Sequence, residues 1–166
     1  MFTVAILTIS DKGYQGIRKD TSSEVIREVL AQIDTRVTDC AIVPDEKDMI
    51  MQKLSEWSDS SKIDVIITTG GTGLSPRDIT PEATLAVIDR LVPGIAEVIR
   101  AESLKKTPHG MLSRGISGIR KRTLIINLPG NPKAVRECLP LVLIALPHAV
   151  EIIKGQGEDT HEKPAR

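Results

Sequence analysis

The segment Thr69-Gly70-Gly71-Thr72-Gly73-Leu74-Ser75-Pro76-Arg77-Asp78 carries the densest chemical signal in this chain. Three glycines in four positions let backbone N–H groups approach an anion without a Cβ in the way, and Thr72 adds a hydroxyl donor. The spacing is not that of a P-loop, G-x-x-x-x-G-K-[ST], because no lysine follows the glycines. Nor does it fit the dinucleotide fingerprint G-x-G-x-x-G. As bare chemistry it is either a phosphate cradle at a strand-to-helix turn or a tight structural turn. Pro44-Asp45-Glu46 is the second candidate. With Asp48 three residues on, Asp45 reads either as a helix N-cap or as a ligand. Asp45 and Asp78 look as if they follow neighbouring strands, and two carboxylates beside an anion site are what hydrated Mg²⁺ takes together with substrate phosphates. Ser10-Asp11-Lys12 precedes Tyr14, a candidate ring partner. Ser113-Arg114 supplies a hydroxyl and a guanidinium, and Gly130-Asn131 is either part of a site or a rigid turn with Asn131 as cap. The run Arg120-Lys121-Arg122 reads as a solvated face.

These groups need a frame, and the apolar pattern supplies one. Thr3–Ile9, Val37–Val43, Ile63–Thr69 and Thr123–Leu128 are β-branched apolar runs of strand length. Helix-length amphipathic segments lie between them. Thr21 and Glu24 read as a capping box for a helix with Val25, Ile26, Val29, Leu30 and Ile33 on its apolar stripe. Glu46–Trp57 is a second helix, and Thr80-Pro81 caps and starts a third. Val92–Lys105 is helical after a break at Pro93-Gly94, and the region after Pro132 is helical but kinked or split at Pro140. Asp11–Asp20 reads as a loop, and Lys106–Arg122 as irregular with a short strand near Leu112–Ile116. Strands alternating with helices predict an α/β layered fold with a largely parallel sheet. Ligands in such sheets sit beyond the carboxyl ends of strands, which directs attention to the loops after Ile9, Val43, Thr69 and Leu128.

Composition narrows the function. A 166-residue chain with 40% hydrophobic residues fits one domain, here residues 1–155, with 156–166 expected to be a frayed tail. Phe2, Tyr14 and Trp57 are the only aromatic residues, too few for a stacking platform for single-stranded nucleic acid. Lys plus Arg equals Asp plus Glu at 22 each, so no excess positive field gathers polyanions. The longest apolar stretch, Leu139–Val150, is interrupted by Pro140, Pro147 and His148 and is too short to span a bilayer. Residues 1–9 carry no basic leader or cleavage site, so a cytoplasmic location is expected. Cys40 and Cys138 lack metal-ligand spacing and read as buried small hydrophobes.

Together, Ile66-Ile67-Thr68-Thr69-Gly70-Gly71-Thr72-Gly73 with Asp78, Thr80-Pro81-Glu82-Ala83-Thr84, Met111-Leu112-Ser113-Arg114 and Leu128-Pro129-Gly130-Asn131-Pro132 resemble the MogA/MoaB family. They also resemble the matching G domains of plant and animal molybdenum-cofactor proteins, gephyrin among them, and Lys106–Val135 looks especially like the plant G domain. The likeness spans about residues 3–155. It implies a three-layer α/β/α sandwich with one antiparallel strand in a mostly parallel sheet, assembled as a homotrimer. It implies molybdopterin and ATP as partners, Mg²⁺ as cofactor, adenylated molybdopterin and pyrophosphate as products, and hand-over to a molybdenum-insertion protein. MogA-type members need the aspartates of the P-D-E and P-R-D motifs. Here these are Asp45 and Asp78, both intact and both expected to hold the metal. By the same likeness Gly70, Gly71, Thr72, Gly73 and Ser10 hold nucleotide phosphates, and Ser113, Arg114, Gly130 and Asn131 hold the pterin and its phosphate. The alternative is a MoaB-like protein that binds pterin or nucleotide without turnover.

Overall fold

In the computed structural model, which describes residues 1–155, the β-branched runs become strands β1 (Phe2–Ile9), β2 (Thr35–Val43), β3 (Val65–Thr69) and β6 (Thr123–Leu128). Two shorter strands, β4 (Arg90–Leu91) and β5 (Ser117–Arg120), complete one sheet in the order β2-β1-β3-β6-β5-β4. The pairs β1–β2, β1–β3 and β3–β6 are parallel, whereas β5 runs against both β6 and β4. One strand is therefore reversed, as the family likeness implies. The segment 156–166, expected to be a tail, lies outside the described residues.

Alternation along the central strands divides the core in two. Val4, Ile6, Val65, Ile67, Leu124 and Ile126 face one way, and Ala5, Leu7, Ile9, Ile66 and Ile125 the other. The first face is covered by α2 (Thr21–Leu30), α5 (Pro93–Leu104), α6 (Pro132–Leu143) and α7 (Leu146–Lys154). The second is covered by α3 (Lys47–Asp59) and α4 (Thr80–Val87), which bring Ile50, Leu54, Trp57, Ala83 and Val87. The result is a three-layer α/β/α sandwich. Each fully buried Ile or Leu in these clusters contributes roughly 1.5–3 kcal/mol through its burial.

Several local expectations change. Asp11–Asp20 contains a one-turn helix, α1 (Asp11–Tyr14), because Ser10 caps it by accepting the Gly13 N–H. The N-cap of α2 is Asp20, which accepts from Ser23 N, so Thr21 is the first helical residue and not the cap. Thr80 likewise does not cap α4; its buried hydroxyl donates to the Gly70 carbonyl. Pro93 starts α5 instead of breaking it, since the first helical N–H needs no partner. The expected strand at Leu112–Ile116 is displaced to β5, preceded by a 3₁₀ turn at Pro108–Leu112. Helix α6 runs through the exposed Pro140, where water can satisfy the freed carbonyl, and the chain breaks instead before α7, which Pro147 opens. Cys138 is buried, but Cys40 is exposed and accepts a hydrogen bond from Arg27, contrary to its reading as core. The cationic run Arg120-Lys121-Arg122 is the β5–β6 turn, anchored by Arg120 and Lys121 to Asp59.

Candidate functional site

Strands β2, β1, β3 and β6 are consecutive in the sheet and mutually parallel, so their carboxyl ends share one edge. The loops after Ile9, Val43, Thr69 and Leu128 therefore converge on a cavity of about 760 Å³, within the size range of small-molecule sites. Ser10, Asp45, Gly70, Gly71, Asp78, Gly130 and Asn131 all line it. The sequence suggests that Asp45 and Asp78 follow neighbouring strands, and they do not: β1 lies between β2 and β3, and its loop supplies Ser10 and Asp11 between the two carboxylates' loops.

The glycine turn is constrained wherever it touches its neighbours. Gly70 has φ +102°, and a Cβ there would overlap the Ile9 carbonyl oxygen. Gly71 has φ +65°; a Cβ on it would overlap Thr80 Oγ1 and come within 3.2 Å of Asp45 Oδ1. Gly130 approaches so closely that its Cβ would lie 3.0 Å from Gly70 Cα. Left-handed backbone and close approach together require glycine here. The turn is thus structurally tight and also exposes its main chain to the cavity. Thr72 and Gly73 do not line the cavity; their carbonyls accept hydrogen bonds from Arg114 N and Nε at 2.9 and 2.7 Å.

The carboxylates are held by different means. Asp45 is not the N-cap of α3; Glu46 occupies that position without a side-chain bond. Instead Asp45 Oδ2 accepts the Asp11 N–H at 2.9 Å, and the Asp45 N–H donates to Asp11 Oδ1 at 3.0 Å. Burial pushes the Asp45 carboxyl above its ordinary range, and the nearby Asp11 and Asp78 carboxylates push the same way. Asp11 moves in the other direction, because the Arg77 guanidinium holds its carboxyl below that range. Asp78 Oδ2 accepts from Ser75 N at 2.9 Å. Among the described residues, Oδ1 of Asp45 and Oδ1 of Asp78 accept no hydrogen bond.

That donor set discriminates between metals. Among the described residues no group of three or more His, Cys, Asp or Glu side chains could enclose an ion, which argues against a zinc-type cage. Two carboxylates with a free oxygen apiece, one half-buried among like charges, fit Mg²⁺ that completes its shell with water and substrate phosphates.

The other expected site residues separate into two groups. Ser10 and Asn131 line the cavity, although each side chain also caps a helix, Ser10 for Gly13 N and Asn131 for Lys133 N. Gly130 lines it too, with its carbonyl accepting from Ser22 Oγ at 2.7 Å. Ser113 and Arg114 do not line it, and neither does Tyr14. Arg114 is spent on the third loop: it donates to Gly73 O, to Asp78 O at 2.6 Å and to the Glu82 carboxylate. Sequence reasoning passed over Thr8, Arg18, Lys19, Asp20 and Ser22, which form the far wall. Arg18-Lys19 directly before a helix start was the available signal. Thr8 shares the face of Val4 and Ile6 through the alternation of β1, and its hydroxyl donates to Asp20 Oδ2 at 2.6 Å, a contact with no local signature.

The sequence profile of a family described as a probable molybdopterin binding domain matches residues 5–148. The chain is 43% identical over 162 residues to a molybdopterin adenylyltransferase of Helicobacter pylori, covering 96% of this chain and 92% of that one. It is 47% identical over 159 residues to the Drosophila melanogaster molybdenum cofactor synthesis protein cinnamon, covering 95% of this chain but 26% of that protein. Among solved structures, the molybdopterin biosynthesis enzyme MoaB of Thermus thermophilus is 54% identical with a TM-score of 0.89, covering 93% of this chain and 98% of that one.

Proposed function

The chain belongs to the molybdopterin-binding family that contains MogA and MoaB and works in molybdenum-cofactor biosynthesis, and from that premise we propose that it adenylates molybdopterin with Mg-ATP. The observation that carries the reading is the cavity itself, where a glycine turn, two carboxylates with free oxygens and two helix starts meet. In the reaction, a terminal phosphate oxygen of the pterin attacks the α-phosphorus of ATP. A new P–O bond forms, the bond to the β-phosphate oxygen breaks, and pyrophosphate leaves.

A phosphate monoester is already largely ionised near neutral pH, so the chain has no nucleophile to generate. Its tasks are to bring two anions together and hold them in line. The Gly70–Gly71 main chain admits phosphate closely, and the starts of α2 and α6 bring their positive dipole ends to the same cavity. Arg18 and Lys19 add cationic charge there. Asp45 and Asp78 would hold Mg²⁺, which neutralises charge on the phosphates and the departing pyrophosphate. Ser10, Gly130 and Asn131 border the same space and are assigned to the reactants' phosphates. Arg114 is assigned to supporting the third loop.

The reading extends to a homotrimer in the cytoplasm that passes its product to a molybdenum-insertion protein. Among the described residues no helix is long and apolar enough to cross a membrane. The test is pyrophosphate release from ATP and Mg²⁺ with and without molybdopterin. Release that depends on the pterin supports the proposal. The second reading, binding without turnover, draws on the 54% identity to a MoaB protein, and pterin binding with no pyrophosphate release would favour it.

A further inference from the structure

Asp45 is oriented by a chain of contacts that begins outside the cavity. Arg77 does not line the cavity, although its neighbour Asp78 does. Its Nε and Nη2 donate to the two carboxylate oxygens of Asp11 at 3.1 and 2.9 Å, and its Nη1 donates to Glu46 Oε1 at 2.8 Å. Asp11 then exchanges two hydrogen bonds with Asp45, one in each direction between backbone N–H and carboxylate. A single guanidinium on the loop after β3 therefore ties down the loops after β1 and β2. It does so through the residue that fixes one oxygen of Asp45 and leaves the other free.

An exposed ion pair usually contributes little, and Arg77 is 53% exposed. The geometry is nonetheless specific, since a two-pronged fork on Asp11 sets direction as well as charge. Resting on the adenylyltransferase reading, we propose that Arg77 is a positioning residue: it neutralises and pins Asp11 so that Asp11 holds Asp45, and it touches neither nucleotide nor pterin. Without it, Asp11 becomes a third uncompensated carboxylate beside Asp45 and Asp78, free to rotate out of its bond with the Asp45 N–H.

The test compares wild type with Arg77→Met, Arg77→Lys, Asp11→Asn and the double variant Arg77→Met/Asp11→Asn. Backbone amide exchange is read at Asp11 and Asp45, beside kcat and the KM for ATP. In Arg77→Met both amides should exchange at least about tenfold faster while those of the central strands do not change. The kcat should fall about tenfold with the KM for ATP held within about twofold, as expected for lost positioning and not lost binding. Arg77→Lys should fall between, because an ammonium keeps the charge but not the fork. Asp11→Asn, which removes the carboxylate left unpaired, should cost little more in the Arg77→Met background, giving a non-additive cycle. Unchanged amide exchange in both Arg77 variants would overturn the proposal. So would a raised KM with unchanged kcat, which means direct contact with the nucleotide, and so would additive effects, which mean Arg77 does not act through Asp11. A wild-type protein that releases no pyrophosphate defeats the adenylyltransferase reading instead, and the exchange comparison still decides whether Arg77 holds Asp45.

Discussion

Asp45 is the residue at which cap and ligand readings part, and the two make different demands on the side chain. An asparagine can still accept the Asp11 N–H that Asp45 Oδ2 now accepts, but it lacks the charge a hard dication prefers. Asp45→Asn is therefore expected to melt within a few degrees of wild type and to lose pyrophosphate release by at least about a hundredfold, in keeping with the several kcal/mol a metal supplies to a transition state. Thermal scans beside the pyrophosphate assay check both halves. Asp78→Asn should behave in the same way, since an amide oxygen can replace Oδ2 as acceptor for Ser75 N. Near wild-type turnover in either variant would remove that residue from the catalytic assignment. The P-D-E and P-R-D motifs were legible as carboxylates in the sequence. Their partners Asp11 and Arg77 were not, because those contacts join residues 34 and 66 positions apart.

Between elements, the tightest constraint is the β3–α4 turn against the β1 and β6 loops. Gly70→Ala places a Cβ on the Ile9 carbonyl at a positive φ, so the strands must separate or the turn must change conformation. The variant should lose at least about 2 kcal/mol in urea unfolding, in the range expected of strained backbone with a steric clash. A loss within experimental error would mean the turn relaxes freely. On the opposite side of the fold, Asp59 at the end of α3 is held down to about 2 by hydrogen bonds from Arg120 and then Lys121 in the β5–β6 turn. A carboxyl whose folded value lies below its unfolded one stabilises the fold above the ordinary carboxylate range, and that contribution disappears as pH falls toward the folded value. The melting-temperature gap between wild type and Asp59→Asn should therefore stay constant from pH 7 to about 5 and narrow between about 4 and 2. A gap independent of pH would assign the effect to packing.

For the molecule as a whole, the reading demands a metal and an assembly. Chelation should abolish pyrophosphate release, and added Mg²⁺ should restore it without refolding, because two carboxylates on preformed loops make a site that the core does not depend on. Activity that survives exhaustive chelation would exclude the metal from the reaction. Light scattering should return three times the 18.1 kDa chain mass if the homotrimer forms. The monomer mass at micromolar concentration would refute that part of the proposal.

Periodicity and composition were enough to determine the four parallel strands, the helices between them and the rule that places ligands at the strands' carboxyl ends. These follow from continuous β-branched apolar runs such as Thr3–Ile9 and Ile63–Thr69, which suit strands buried on both faces of a parallel sheet. The chain's motifs also marked Asp45, Asp78 and the glycine turn, since residue type and spacing are themselves the signal. Strand order required the tertiary structure. It put β1 between the two aspartate-bearing loops and so made Asp11, not a helix end, the partner of Asp45. It also turned Arg114 away from the cavity toward Gly73, Asp78 and Glu82, because a long cationic side chain takes the nearest carbonyls and carboxylate that the packed loops present. Short-range patterns fix which residues form an element; hydrogen bonds between loops distant in sequence depend on which elements become neighbours, and only the assembled sheet decides that.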